Sequence, residues 1–280
     1  MATDVTTATR PADVGLKREM GLVGAMWSSE TSLIGSGWLF GSLYAAQAAG
    51  TGALLAWVIA GVIVIVLALV HSELGGMYPV AGGSARVPHF AFGSVAGASF
   101  GFFSWLQAVC VAPIECFAVM QYGQYWFNAH NINIYNPTQK VTTGLGFVFT
   151  IILLAIFTAI NFLAMRLFNK VNAGITWWKV AIPVLAIIVL FFKFQPKNFG
   201  AGGGFLPYGF QSVFLAMPTA GVVFAYLGFE QADQLAGEIK DPQRNLPRAV
   251  IGSILIAVAI YCLLQVVFIG AIPHAEISGP

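Results

Sequence analysis

The chain has 280 residues, of which 58% are hydrophobic and only 9% are Asp, Glu, Lys or Arg, and its formal net charge is +2. An ordinary soluble domain carries roughly 25% charged residues, so this composition excludes a water-soluble globule; the few charges lie in short clusters between long apolar stretches whose solvent is lipid. Those stretches are continuous, without the period-two alternation of membrane strands, which excludes an outer-membrane barrel and leaves helices to do the spanning, and no basic run interleaved with aromatics offers nucleic acid an electrostatic footprint.

The first 20 residues are polar and of mixed charge, with no small-residue cleavage site after them, and read as a retained cytosolic tail (residues 1–20) ahead of a transmembrane domain over residues 21–280. A hydrocarbon core of about 30 Å needs roughly 20 helical residues, and seven stretches are read as spans. In chain order they are Leu22 to Ala49, Ala53 to Val70, Val95 to Phe127, Phe147 to Met165, Val180 to Phe192 extended at its start by Trp177 and Trp178, Gln211 to Ala236, and Ala249 to Ile272. The longest connection, about Gln195 to Phe210, is rich in Gly and Pro, and the chain stops at Ile277-Ser278-Gly279-Pro280 without a basic tail. Lys and Arg favour cytoplasmic loops. With the amino terminus inside, Arg10, Lys17, Arg18, Arg86, Arg166, Lys170, Lys240, Arg244 and Arg248 fall in the cytosol, against Lys140, Lys193 and Lys197 outside. The aromatic end Tyr122, Tyr125, Trp126 and Phe127 suits the headgroup belt.

Two spans interrupt themselves. The first carries Ile34-Gly35-Ser36-Gly37-Trp38-Leu39-Phe40-Gly41, and the sixth carries Pro218 followed by Phe224-Ala225-Tyr226-Leu227-Gly228-Phe229-Glu230. A broken helix leaves N–H and C=O groups that lipid cannot partner, so the breaks belong against protein, water or a ligand. Half-helix ends carry opposite partial charges, so two breaks facing each other would hold a zwitterion. Close packing competes with this reading, since Gly37 and Gly41, like Gly93, Gly97 and Gly101, fit small-xxx-small spacing. Cys110, Cys116 and Cys262 form no CxxC pair, and His71, His89, His130 and His274 are scattered, so neither a metal site nor a cofactor is expected.

Three stretches resemble the amino acid–polyamine–organocation (APC) superfamily of amino acid permeases. They are Ile34 to Leu39; Glu73-Leu74-Gly75-Gly76-Met77-Tyr78-Pro79 with Gly82-Gly83 and Phe92-Gly93; and Gly228-Phe229-Glu230 with Gly237-Glu238-Ile239-Lys240-Asp241-Pro242-Gln243-Arg244-Asn245-Leu246-Pro247-Arg248-Ala249. The resemblance implies an all-α, LeuT-like fold of two inverted five-helix repeats with discontinuous helices 1 and 6. This chain would supply about seven of the ten or more helices, the first repeat over about 21–194 and the start of the second over about 205–280, as a truncated form would. It also implies a secondary transporter of amino acids or related amines in the plasma membrane, proton-coupled, with exchange or a non-transporting fragment or sensor subunit as alternatives.

The same resemblance places the substrate carboxylate on the amides around Gly35, Ser36 and Gly37, and its ammonium on the carbonyls around Phe224, Ala225 and Leu227. Phe224 takes the place of the occluding aromatic, and Glu115 that of a contact to the substrate side chain. Lys179, inside the fifth span, matches a lysine that couples proton movement in some relatives, where a charge at the helix centre costs at least about 2.5 kcal/mol; snorkelling is the alternative. Glu230, beside the sixth-helix break, is read as hydrogen-bonding across the gap or relaying protons. Glu30 and Asp233 are open to gate or interface roles, and Glu73, Lys240, Arg244 and Arg248 fit a cytosolic gate or, more simply, topology. A channel would need rings of charge or carbonyls and an enzyme clustered nucleophile, base or metal ligands; the sequence shows neither.

Overall fold

The computed structural model describes residues 17–137, 139, 141–164 and 168–277. Arg10, Lys140, Met165, Arg166 and most of the amino-terminal tail lie outside them, and of Lys170 only the backbone is described. The chain is helical throughout apart from a ribbon of two-residue strands. The first span divides into α1 (Leu22–Leu33) and α2 (Gly37–Ala49), and a 3-10 turn at Gly50–Gly52 leads into α3 (Ala53–Met77). Next come α4 (Gly83–Phe92), α5 (Ser94–Ala129), the antiparallel strands β1 (Tyr135–Asn136) and β2 (Val141–Thr142), α6 (Gly144–Ala164) and α7 (Phe168–Phe191). The sixth span divides into α8 (Gly209–Thr219), α9 (Val222–Ala225) and α10 (Gln231–Gln234), followed by α11 (Pro242–Ala271) and the single turn α12 (His274–Ile277).

Three differences from the sequence reading have physical causes. α3 runs seven residues past Val70 and α11 begins seven before Ala249, because hydropathy measures the thickness of lipid whereas backbone bonding carries a helix on into the headgroups. Pro242 sits at the first helical position of α11, where its missing N–H costs nothing. α4, too short and polar to be read as a span, packs on α5 where Gly97 and Gly101 admit it: a Cβ on Gly97 would stand 2.7 Å from that of His89, and one on Gly101 3.3 Å from that of Ala85. Those two glycines therefore serve packing. The all-α expectation is corrected only by the ribbon, which closes the α5–α6 connection.

α11 is the central post. It packs against α3, α1 and α7 and buries Leu246, Val250, Ile254, Ala257, Tyr261, Leu264 and Gln265. Its alanines and glycines let backbones approach closely, which is how helices associate where lipid removes the hydrophobic driving force. At mid-height the rings of Trp57, Tyr226 and Tyr261 form a triangle with centroids 5.3 to 5.5 Å apart, within the range of favourable aromatic pairs. Trp57 Nε1–H donates to Gln265 Oε1 at 2.7 Å, with both side chains fully buried. The outward faces are apolar: Val62, Val66 and Val70 on α3, Phe103 and Trp105 on α5, and Ile151 and Ile160 on α6 are all exposed. Among the described residues three stretches are long and apolar enough to cross a membrane, Gly37–Met77, Ser94–Ala129 and Pro242–Ala271, and Gly144–Ile160 and Trp177–Phe191 are shorter apolar helices.

Trp57→Phe removes the donor to Gln265 while nearly preserving volume. It is expected to lower the thermal midpoint in detergent by the equivalent of about 0.6–1.7 kcal/mol, the range of interhelical hydrogen bonds in membranes. The Trp57→Phe/Gln265→Leu pair is expected to recover most of that loss, because both polar partners are then gone.

Candidate functional site

The two interrupted spans meet face to face. α1 ends at Leu33, and Ile34, Gly35 and Ser36 form a non-helical corner before α2. α8 ends at Thr219, two residues before Gly221, whose φ of +73° only glycine adopts readily, and Tyr226 to Glu230 run as turns between α9 and α10. Contact between the breaks is close enough to require glycine. A Cβ on Gly37 would stand 3.1 Å from that of Ala225, and one on Gly228, whose φ is +112°, would stand 2.7 Å from the carbonyl carbon of Ser32.

Side chains from the facing elements partner the opened backbone. Ser29 Oγ donates to the Phe229 carbonyl at 2.8 Å and accepts from the Ala232 N–H at 3.1 Å, so one buried hydroxyl of α1 joins the end of the sixth-span break to the first turn of α10. Tyr261 Oη donates to the Leu33 carbonyl at 2.9 Å, and Lys179 Nζ donates to the Thr31 carbonyl at 2.9 Å. The Gly228 N–H donates to Glu230 Oε2 at 2.9 Å, and the Ser36 N–H to Glu115 Oε1 at 2.9 Å. Tyr226, inside the sixth-span break, donates from Oη to the Trp57 carbonyl at 3.1 Å. Glu30 is the contrast: it is fully buried on α1, and neither carboxylate oxygen has a hydrogen-bond partner among the described residues.

Between the breaks and α5 lies a cavity of about 50 Å³, lined by Ser32, Leu33, Gly35, Gly37, Gln107, Val111, Ile114, Glu115, Phe224, Ala225, Leu227 and Gly228. Six of the residues expected to bind substrate thus surround one space: Gly35, Gly37, Phe224, Ala225, Leu227 and Glu115. Ser36 lies just behind it and points its N–H at Glu115. The Glu115 carboxylate thus sits on the amide expected to receive the carboxylate of a ligand. Glu230 borders the cavity through Gln107, whose Nε2 donates to Glu230 Oε1 at 3.0 Å. Lys179, on α7, reaches α1 at the Thr31 carbonyl, about one turn before the first break.

Sequence reasoning missed Gln107 and Ser29. Gln107 had a signal: with Val111 and Glu115 it forms an i, i+4, i+8 stripe, one face of a helix, and a polar residue two turns from an acid within an apolar span on that face points into the same space. Ser29 had none, because a serine in a small-residue helix reads as packing until its partner is known.

Two broken helices bordering a small cavity, inside a bundle with stretches apolar and long enough to cross a bilayer, are the architecture of a multi-pass membrane protein. The amino acid permease family matches residues 24–277, and the chain belongs to that family, within the APC superfamily; its members are permeases, not enzymes. The chain is 40% identical over 265 residues to the glutamate/serine transporter AimA of Bacillus subtilis (strain 168), covering 94% of this chain and 49% of that protein. It is 37% identical over 242 residues to the aspartate-proton symporter of the same organism, covering 86% and 46%, and 27% identical over 291 residues to its gamma-aminobutyric acid permease, covering 95% and 59%. The chain spans about half the length of the curated relatives it matches.

Two glycine substitutions separate strain from clash. Gly221→Ala places a side chain at φ +73° in open space and is expected to cost about 1–2 kcal/mol of backbone strain. Gly228→Ala adds a collision with the Ser32 and Leu33 backbone, so its midpoint in thermal unfolding in detergent is expected to fall well below that of Gly221→Ala.

Proposed function

We propose that the protein is a secondary transporter that moves amino acids or related amines across the plasma membrane by alternating access, in symport with protons. One observation carries the reading: the Ser36 amide, at the unwound corner of the first span, already accommodates a carboxylate, that of Glu115, at 2.9 Å. A backbone N–H ahead of a helix of 13 residues is a site for an anion without a buried cationic side chain. An amino acid carboxylate reaching that amide replaces Glu115 there, which frees Glu115 to take the ammonium or an amine-bearing side chain. Phe224 closes the other wall, and the carbonyls around Ala225 and Leu227 face the ammonium.

The names of the relatives support amino acids as cargo, and the aspartate-proton symporter supports the proton. In this reading the fold is LeuT-like, with the first repeat over residues 21–194, the second starting at about 205, and a cytoplasmic amino terminus favoured by the nine basic residues on that side. Lys179 binds the Thr31 carbonyl of α1 when charged and releases it when neutral, which ties proton occupancy to the first break; Glu230 relays protons beside the sixth.

The test is uptake of radiolabelled glutamate, aspartate, serine and gamma-aminobutyrate by the full-length protein in proteoliposomes, with and without an inward proton gradient. Saturable accumulation above the outside concentration that requires the gradient is expected. Lys179→Met is expected to lower gradient-driven uptake roughly tenfold, equivalent to about 1.4 kcal/mol; unchanged pH dependence in that variant would refute the coupling role. Glu115→Gln is expected to alter substrate affinity and leave the response to pH in place.

A further inference from the structure

A second, larger cavity lies on the far side of the sixth-span break, toward the end of the bundle where Met20 pairs with Ile239. Its volume is about 330 Å³, and its wall is largely apolar, with Leu74, Val87, Pro88 and Phe100. At its base α3 and α10 meet through one polar contact. His71 Nδ1 lies 2.9 Å from Asp233 Oδ2, with the imidazole one-third exposed and the carboxylate side chain 4% exposed. Asp233 lines this space, and its Oδ1, buried toward Gly75, has no hydrogen-bond partner among the described residues. The local chain is shaped around that carboxylate: a Cβ on Gly75 would collide with Oδ1, and one on Gly83 would stand 3.0 Å from Asp233 Cβ. The arrangement is a built polar site with one open acceptor in apolar surroundings.

We infer that His71 and Asp233 form a proton-binding site distinct from Lys179 and Glu115, which takes up and releases the transported proton through the 330 Å³ cavity. The inference rests on the proton-coupled reading above. Position supports it. Asp233 stands three residues after Glu230, at the border of the central cavity, and the ring of Phe229, the residue before Glu230, packs edge-on against His71 with centroids 5.4 Å apart. Other groups facing the pair are few. Glu230 contributes its charge from the sixth span, Tyr78 lines the cavity from the end of α3, and Ser84 does so from α4. On α4, Arg86 folds over Gly82 and His89 packs against Gly97. α5 supplies Phe100, and α11 meets Gly75 and Gly76 through Leu246 and Pro247.

The proton balance is simple. With the proton bound, an imidazolium donates from Nδ1 to the Asp233 carboxylate, and the pair is neutral as a whole. Release transfers one proton from the ring to water in the cavity, leaving a neutral imidazole and a carboxylate with net charge −1. The two states differ by a full charge at the contact that joins α3 to the segment after the break, so proton occupancy alters how firmly α10 is held on α3.

The experiment is nitrogen NMR of full-length, histidine-labelled protein in nanodiscs, with the His71 signal assigned by its loss in His71→Gln. That signal is expected to titrate once between about pH 5 and 8, and Asp233→Asn is expected to move its midpoint by about one pH unit or more. A His71 that does not titrate, or that titrates identically in Asp233→Asn, overturns the site. In proteoliposomes His71→Gln is expected to keep substrate counterflow within about twofold while gradient-driven accumulation falls roughly tenfold; accumulation equal to that of the parent overturns the coupling. Should the parent protein move no amino acid at all, the transport reading fails, whereas the NMR titration still decides whether the pair binds a proton.

Discussion

Inside a bilayer no water rescues an open backbone, so each N–H and C=O released by a break in a helix must find a partner within the protein. This chain opens two helices at the same depth, and the arrangement around them follows from that demand. Ser29 answers for Phe229 in the sixth-span break and Ala232 just after it, Tyr261 and Lys179 for carbonyls at the end of α1, Glu230 for Gly228, and Glu115 for Ser36. Each partner comes from an element that must stay in place for the bond to exist. The central cavity is the space those partners leave between them.

Close approach is the second requirement, and small residues meet it. Gly37 against Ala225 and Gly228 against Ser32 bring the two breaks within van der Waals contact, while α11 offers alanines at the positions where α1 and α3 cross it. Without lipid-driven clustering of apolar side chains, contact area and interhelical hydrogen bonds carry the association. That explains why the buried triangle of Trp57, Tyr226 and Tyr261 also spends its polar atoms on neighbouring helices: Trp57 donates to Gln265, Tyr226 to the Trp57 carbonyl, and Tyr261 to the Leu33 carbonyl.

The interior polar groups therefore fall into two kinds. Ser29, Tyr261 and Gln265 do structural duty, holding opened backbone or neighbouring side chains in register. Glu115, Lys179, Glu230, Asp233 and His71 are ionisable, and each touches a break or the segment next to one. An ionisable group is an expensive way to fill a hydrogen-bonding vacancy in lipid, so their concentration beside the two breaks, and not along the lipid-facing faces of α3, α5 and α6, agrees with a protein whose working parts are the breaks themselves.

Much of this was legible in the order of residues. The membrane class followed from 9% charge, the long helices from apolar runs of bilayer length, and the breaks from Gly35-Ser36-Gly37 and Gly228 beside Glu230, because lipid chemistry makes interruptions conspicuous within one segment. Of the six expected binding residues that line one cavity, five belong to the two breaks, which are local properties of the chain, and the sixth, Glu115, comes from α5. Pairings between distant segments were not legible. That Glu115 reaches the Ser36 amide, that Ser29 bridges Phe229 and Ala232, and that His71 meets Asp233 across 162 residues of chain depends on how α1, α3, α5 and α10 cross. Crossing is decided by interlocking surfaces, so the sequence by itself determined which groups had to find partners, and only the tertiary structure decided which partners they found.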